Sequence, residues 1–291
     1  MSFPGRLIDT SAGRVFIHQD GSGPPLVLVH GMFVSHWYFR PVIAELRRHF
    51  QVTAIDLPGF GESDRPPLGR YRYDAASAAA LVDEIMEALG IPAASVVSHS
   101  MGGGVALSLA AHHPGRVTRL VLEDAWVYPI EMPFLGRLAL RPMLGSVLFK
   151  RLYSRRDLVR HFRGVFRDPA LVTGELVDYY WERFNRAGAR EAGLAALRAF
   201  ASMLADPVEP ASVRVPTLVV WGEEDRLFPV AHGQRLAREI PGAQLTIIPV
   251  CGHSPHEERP DEYLRAVIPF LLGKSETTAA HNPMHEAATL G

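Results

Sequence analysis

A serine hydroxyl is a poor nucleophile until a base takes its proton, and the run Ser98-His99-Ser100-Met101-Gly102 is where this chain is best placed for that chemistry. The pentapeptide matches G-x-S-x-G, with Ser98 in place of the first glycine. It follows a Val-Val pair and opens a Gly- and Ala-rich segment, which predicts a sharp strand-to-helix turn that exposes the Ser100 Oγ above a sheet. Positions two before and two after must be small because backbone crowds them, and Ser98 and Gly102 meet that need. The start of the helix adds a partial positive charge beside the hydroxyl. A serine that only caps a helix is the plainer alternative, and the flanking residues count against it.

A base and an acid must reach the same place. Of 13 histidines, His253 lies in a Gly252-His253 loop after the last predicted strand, at the carboxyl edge of the sheet where open α/β folds bind ligands. His99 adjoins Ser100, but its side chain leaves the turn in another direction; His256 is the nearest rival and suits packing of the loop. Asp225 follows the run TLVVWG on that edge and can orient the imidazole and stabilise its charged form. Asp124 ends the preceding strand and is the alternative acid. The G-x-x-D-x-x-x-P context from Gly222 to Pro229 favours Asp225, leaving Asp124 free to anchor the segment that follows it.

Short Val/Ile/Leu-rich runs alternate with helical patterns, as in a mostly parallel sheet covered on both faces. Residues 14–20 and the run before them read as an antiparallel opening hairpin. Runs 26–31, 51–57, 95–100, 117–125, 217–222 and 244–250 read as strands. Segments 38–49, 74–90, 100–113, 230–240 and 260–272 read as helices, with Asp74 capping the second. From about 125 to 206 only helical pattern remains, with Ser154 and Asp157 spaced as a capping box. Arg156, Arg160, Arg163 and Arg167 fall at helical spacing there, on a solvated face or one that attracts an anionic substrate or anionic lipid.

Four motifs, HGMFVSHW (30–37), DLPGFGESDRP (56–66), SHSMGGG (98–104) and the closing pair GEEDRLFP (222–229) with CGHSPHEERP (251–260), resemble the α/β-hydrolase fold superfamily in its lid-bearing branch, over roughly residues 5–273. The resemblance implies an α/β fold with a mostly parallel sheet of about eight strands, helices on both faces and an inserted helical lid. Its domains would be a core of 1–124 and 207–273, a lid of 125–206 and a disordered tail of 274–291. The order nucleophile, acid, histidine is met by Ser100, Asp225 and His253. The backbone N–H groups of Met32 and Met101 would form the oxyanion hole. Asp56 and the PGFGESD loop become structural turn residues. Neither a cofactor nor a metal is implied.

Haloalkane dehalogenases and epoxide hydrolases resemble this layout but carry aspartate at the nucleophile position, whereas serine suits acyl transfer. The expected reaction is hydrolysis of a small or medium carboxylic ester through an acyl-enzyme. Carbon–carbon bond hydrolases of ring-cleavage products are the alternative, although they usually carry an aromatic residue where Ser254 follows His253. Cofactor-free perhydrolases share SMGGG, and some triad-bearing relatives are ligand receptors. The insertion offers Phe134, Leu135, Leu138, Met143 and Leu144, and Tyr179, Tyr180, Trp181 and Phe184, as an acyl pocket.

Composition sets the outer bounds. The 291 residues are 47% hydrophobic and 21% charged, which gives enough apolar material for a packed core and excludes disorder of the body. Lys plus Arg number 30 against 31 Asp plus Glu, a balance that disfavours nucleic acid as a partner and leaves a small apolar or weakly anionic carbonyl compound. One cysteine, Cys251, forms no internal disulfide. The first residues lack a secretory pattern and no run of about 20 apolar residues occurs, so a cytoplasmic protein without a membrane span is expected. His281 and His285 in the tail are two histidines without further ligands. Charge is uneven: residues 125–206 hold 13 Lys/Arg and 8 Asp/Glu, net +5, and the remainder nets −6.

Overall fold

The computed structural model describes residues 4–130, 132, 134–202 and 208–274; the predicted tail from 275, with His281 and His285, lies outside them. Eight strands form one sheet: β1 (Arg6–Thr10), β2 (Gly13–Asp20), β3 (Pro25–Val29), β4 (Gln51–Ile55), β5 (Ala94–His99), β6 (Val117–Glu123), β7 (Thr217–Gly222) and β8 (Gln244–Ile248). Their order is β1-β2-β4-β3-β5-β6-β7-β8. The opening hairpin pairs antiparallel and β2 meets β4 antiparallel, while every later pairing is parallel. Strands β5 and β7 are buried along their whole length, which is why their sequences do not alternate.

Two helical layers cover the sheet. On one face α1 (Arg40–Leu46), α10 (Pro255–Glu258) and α11 (Pro260–Leu271) bury Phe39, Ile43, Tyr263 and Val267 against Leu28, Val97 and Val220. On the other, α2 (Ala75–Ala88), α3 (Met101–His112) and α9 (Val230–Glu239) pack Ile85, Val105 and Leu236 against Val27, Val96 and Val219. The Asp74 carboxylate accepts from Ser77 N at 2.8 Å, so the predicted cap of α2 is present. Residues 36–39 form a single 3-10 turn before α1, so the helix expected from 38 starts two residues late.

Between β6 and β7 the described residues form no strand. They form α4 (Phe134–Leu140), α5 (Pro142–Val147), which runs on as a π-turn over Leu148–Leu152, then α6 (Arg155–Val165), α7 (Gly174–Phe184) and α8 (Ala189–Ser202). Ser154 and Asp157 make both bonds of the capping box at the start of α6. Leu158 and Phe162 of α6 meet Val177 and Tyr180 of α7 over Trp37 and Tyr38, a third apolar cluster that seats this insertion on the sheet's carboxyl edge. Arg167 departs from the predicted basic stripe: α6 ends at Val165, and Arg167 instead pairs with Glu224 at 2.8 Å. No helix among the described residues is long and apolar enough to cross a membrane.

Candidate active site

Strand β5 stops at His99 and α3 begins at Met101, leaving Ser100 alone in the turn with φ 53° and ψ −117°. A non-glycine residue at positive φ is strained, and three backbone bonds hold it there. Ser100 N donates to Glu123 O (2.9 Å), while the Ser100 carbonyl accepts from Gly103 N (2.9 Å) and Trp126 N (2.8 Å). The crowding expected around the turn is present. A Cβ on Gly102 would lie 2.4 Å from Val29 O, and one on Gly31 would lie 3.0 Å from Ser100 Cβ. The His30-Gly31-Met32 loop therefore runs directly past the nucleophile. Met101 is the first residue of α3, where a helix amide has no intrahelical acceptor.

His253 Nε2 is 3.0 Å from Ser100 Oγ, and His253 Nδ1 is 2.7 Å from Asp225 Oδ2. With Nδ1 donating to the carboxylate, Nε2 is left to accept the serine proton. The loop after β7 explains why Asp225 is aimed: its Oδ1 accepts from Leu227 N (2.7 Å) and Phe228 N (3.0 Å), leaving Oδ2 for the histidine. The Phe228 ring stands edge-on to His253 at 4.7 Å. His253 is fixed from the insertion as well, since its backbone N donates to Val165 O at the end of α6 (2.9 Å). All three side chains are buried.

The competing residues have other partners. Asp124, at φ 41°, accepts from Gly222 N through Oδ1 (2.9 Å) and so ties β6 to the end of β7; it does not anchor the insertion, as its position had suggested. Its Oδ2 is buried without a hydrogen-bond partner. Burial, then the nearby charge of Asp225, keep the Asp124 carboxyl well above the ordinary carboxylate range. His99 Nε2 donates to the His253 carbonyl (2.8 Å), and burial pushes its imidazole well down, so it is neutral. His256 donates from both N and Nδ1 to Glu123 Oε1 (3.0 and 2.6 Å), packing the loop from below. In the PGFGESD turn, Asp56 accepts from His36 N and Nδ1 and from Glu62 N. Atoms of His99, Asp124 and His253 lie within 4.8 Å of one another. Both His253 nitrogens are engaged, however, so a cation there would have to displace Ser100 or Asp225.

A family model described as alpha/beta hydrolase fold matches residues 24–260. The chain belongs to the alpha/beta hydrolase family. The hydrolase is 32% identical to 2-hydroxymuconate semialdehyde hydrolase of Pseudomonas putida over 96% of each chain. Among solved structures it is similar to the meta-cleavage product hydrolase CumD of Pseudomonas fluorescens IP01, with 27% identity and TM-score 0.80 over 93% of this chain and 98% of that one. It is also similar to a thermophilic esterase from Thermogutta terrifontis, with 25% identity and TM-score 0.76 over 93% and 99% of the two chains.

The hydrolase carries a small cavity whose lining includes Phe33, Val34, Phe60, Tyr180, Arg183 and Phe184. Tyr180 and Phe184 were among the expected pocket residues, whereas Met143 and Leu144 point outward and are exposed; the side chains of Phe134 and Leu135 lie outside the described residues. Lining residues outside the expected set include Phe33 and Arg183, and His161 stands against Phe33. Phe33, at φ 64°, packs on Phe149, Phe184 and His161. His161, on α6, has its imidazole pushed down to about 4 by burial and by His253. Arg183 pairs with Glu62 at 2.5 Å and stacks 3.4 Å over Tyr179, yet its Nε is buried with no partner. For His161 and Arg183 only the 3.6-residue spacing of the insertion helices hints at these positions, and a spacing does not say which face meets the sheet edge; Phe33 lies instead in the HGMFVSHW motif after β3.

Proposed function

We propose that this hydrolase cleaves the carbon–carbon bond beside the C6 carbonyl, ketone or aldehyde, of a ring-cleavage product of the 2-hydroxy-6-oxodienoate type. The observation that carries the reading is the 32% identity, over 96% of each chain, with 2-hydroxymuconate semialdehyde hydrolase, together with a serine, histidine and aspartate in hydrogen-bonding sequence. A small cavity with aromatic walls is consistent with it, and Arg183 in its lining carries an Nε–H without a partner. Residues 125–206 would act as the lid that closes this cavity.

In this mechanism Ser100 Oγ adds to the C6 carbonyl as His253 Nε2 takes its proton, and Asp225 stabilises the imidazolium. Met32 and Met101 N–H groups hold the oxyanion. The 2-enol has first ketonised, its hydroxyl proton passing to C5. The C5–C6 bond therefore breaks with its electron pair delocalised through C3=C4 onto the C2 carbonyl, and the resulting dienolate takes the proton from the His253 imidazolium. A water deprotonated by His253 releases the acyl group from Ser100.

One observation favours a carboxylic ester as the second substrate class. Ser254 occupies the place that is usually aromatic in the carbon–carbon hydrolases, and its hydroxyl is buried 2.6 Å from Tyr38 Oη. The purified protein is to be assayed on a 2-hydroxy-6-oxohexa-2,4-dienoate, by loss of dienolate absorbance, and on a p-nitrophenyl ester. Turnover of the dienoate at higher kcat/KM than the ester is expected. Turnover of the ester alone would replace the first reading with the second. Ser100→Ala should remove either activity by at least about a thousandfold.

A further inference from the structure

The stretch from α4 to the start of α6 faces two ways. Inward, the buried Phe149 ring packs on Phe33 and Phe184. Two arginines of α8 hold its main chain. Arg190 Nη1 donates to the carbonyls of Phe149 (3.2 Å) and Lys150 (3.0 Å), and Arg198 Nη2 to those of Arg141 (2.9 Å) and Pro142 (3.0 Å). The outer face is thus presented by a fixed segment rather than a loose one.

Outward, Met143 is 84% exposed, Leu144 46%, Val147 50% and Leu152 64%. Of nine exposed large apolar side chains among the described residues, these four fall within ten consecutive positions. Met143, Leu144 and Val147 stand at i, i+1 and i+4 and so share one side of α5. Residues 134–156 also hold six Lys/Arg and no Asp or Glu. Lys150 pairs with Glu191 and Arg155 with Asp178. Arg137, Arg141, Arg151 and Arg156 are exposed and in no ion pair among the described residues. A second copy of the chain is a poor occupant for this face, because a self-complementary contact would set these cations against themselves. Apolar side chains that protrude among unpaired cations match acyl chains beneath anionic headgroups.

We propose that the outer face of residues 141–152 docks the protein on an anionic phospholipid bilayer. Met143, Leu144, Val147 and Leu152 enter the acyl boundary, and the four unpaired arginines meet the phosphates. The inference rests on this surface and does not depend on which bond the active site cleaves. Full-length protein is to be sedimented with vesicles of equal parts phosphatidylglycerol and phosphatidylcholine, and with phosphatidylcholine alone, at low and high salt. Binding is expected to the first vesicles only, and to be released by salt. The doubles Met143→Ser/Val147→Ser and Arg141→Gln/Arg151→Gln should each weaken it roughly tenfold or more, with unchanged circular dichroism and thermal midpoint. Absence of binding by the parent, or equal binding by parent and both doubles, would overturn the proposal. So would an apolar double that binds vesicles like the parent but turns a dimer into a monomer, since that assigns the face to a second copy.

Discussion

Two carboxylates stand at the carboxyl edge of the sheet, and their surroundings separate them. Asp225 has both oxygens satisfied, by two amides and an imidazole. Asp124 has one amide and one buried oxygen with nothing to accept from. We therefore expect Asp225→Asn to lower kcat/KM by about 10⁴-fold, because the amide dictates the wrong imidazole tautomer, and Asp124→Asn to cost little. Equal losses in a steady-state assay would leave the acid unassigned. The same contrast predicts a pH effect on stability. The folded protein holds the Asp124 proton well above the ordinary value of 3.8, so the unfolded chain releases it first. The stability associated with this group is complete below about pH 4 and declines as pH rises toward the folded-state value. Asn at 124 keeps the oxygen that faces Gly222 N and cannot ionise. Its stability relative to the parent, from urea unfolding at pH 4 and pH 7, should rise with pH; parallel curves would mean that Asp124 is charged in the folded protein.

The active site is assembled from element ends, and one side chain joins two of them. Glu258 of α10 accepts from Gly252 N (2.9 Å) in the histidine loop and from Arg167 N (2.8 Å) just beyond α6. Glu258→Gln would turn an amide donor toward backbone donors. It should destabilise the fold by about 1–3 kcal/mol and lower kcat as His253 loses its support. Asp74→Ala, which removes the cap of α2 far from the site, should cost about 1 kcal/mol in thermal unfolding and leave kcat/KM unchanged. If both variants lose stability alone, Glu258 does not position the histidine. Elements of this kind were legible in the sequence where local chemistry decides them. Val-Val pairs among small or apolar residues marked β5 and β7, and Asp74, Ser154 and Asp157 marked helix starts. Positions decided by tertiary contact were not legible. Arg167 read as helical but turns away to Glu224, and Met143 read as a pocket residue although its side of α5 faces solvent.

At the scale of the whole chain, a net charge of −1 averages a helical insertion of net +5 over a remainder of net −6. Patterning made this asymmetry visible, but its placement follows from the topology. The insertion leaves the sheet after β6 and returns at β7, so this positively charged unit sits on the sheet's carboxyl edge, where Ser100, Asp225 and His253 meet. Several of its cations are already paired, Arg183 and Arg186 with Glu62 and Arg155 with Asp178, so the long-range field of the insertion comes mainly from those without carboxylate neighbours. Such a field acts on encounter rather than on the bond-breaking step, and it is screened over about 8 Å at physiological salt. For a dienoate carboxylate, kcat/KM should therefore fall as salt is raised while kcat stays constant. For a neutral p-nitrophenyl ester, both should be flat. The two salt titrations, run on one preparation, separate steering from binding at the site: a fall in kcat for the anion would place the salt-sensitive charge against the bound substrate, and equal slopes for both substrates would show that the basic insertion does not steer either of them.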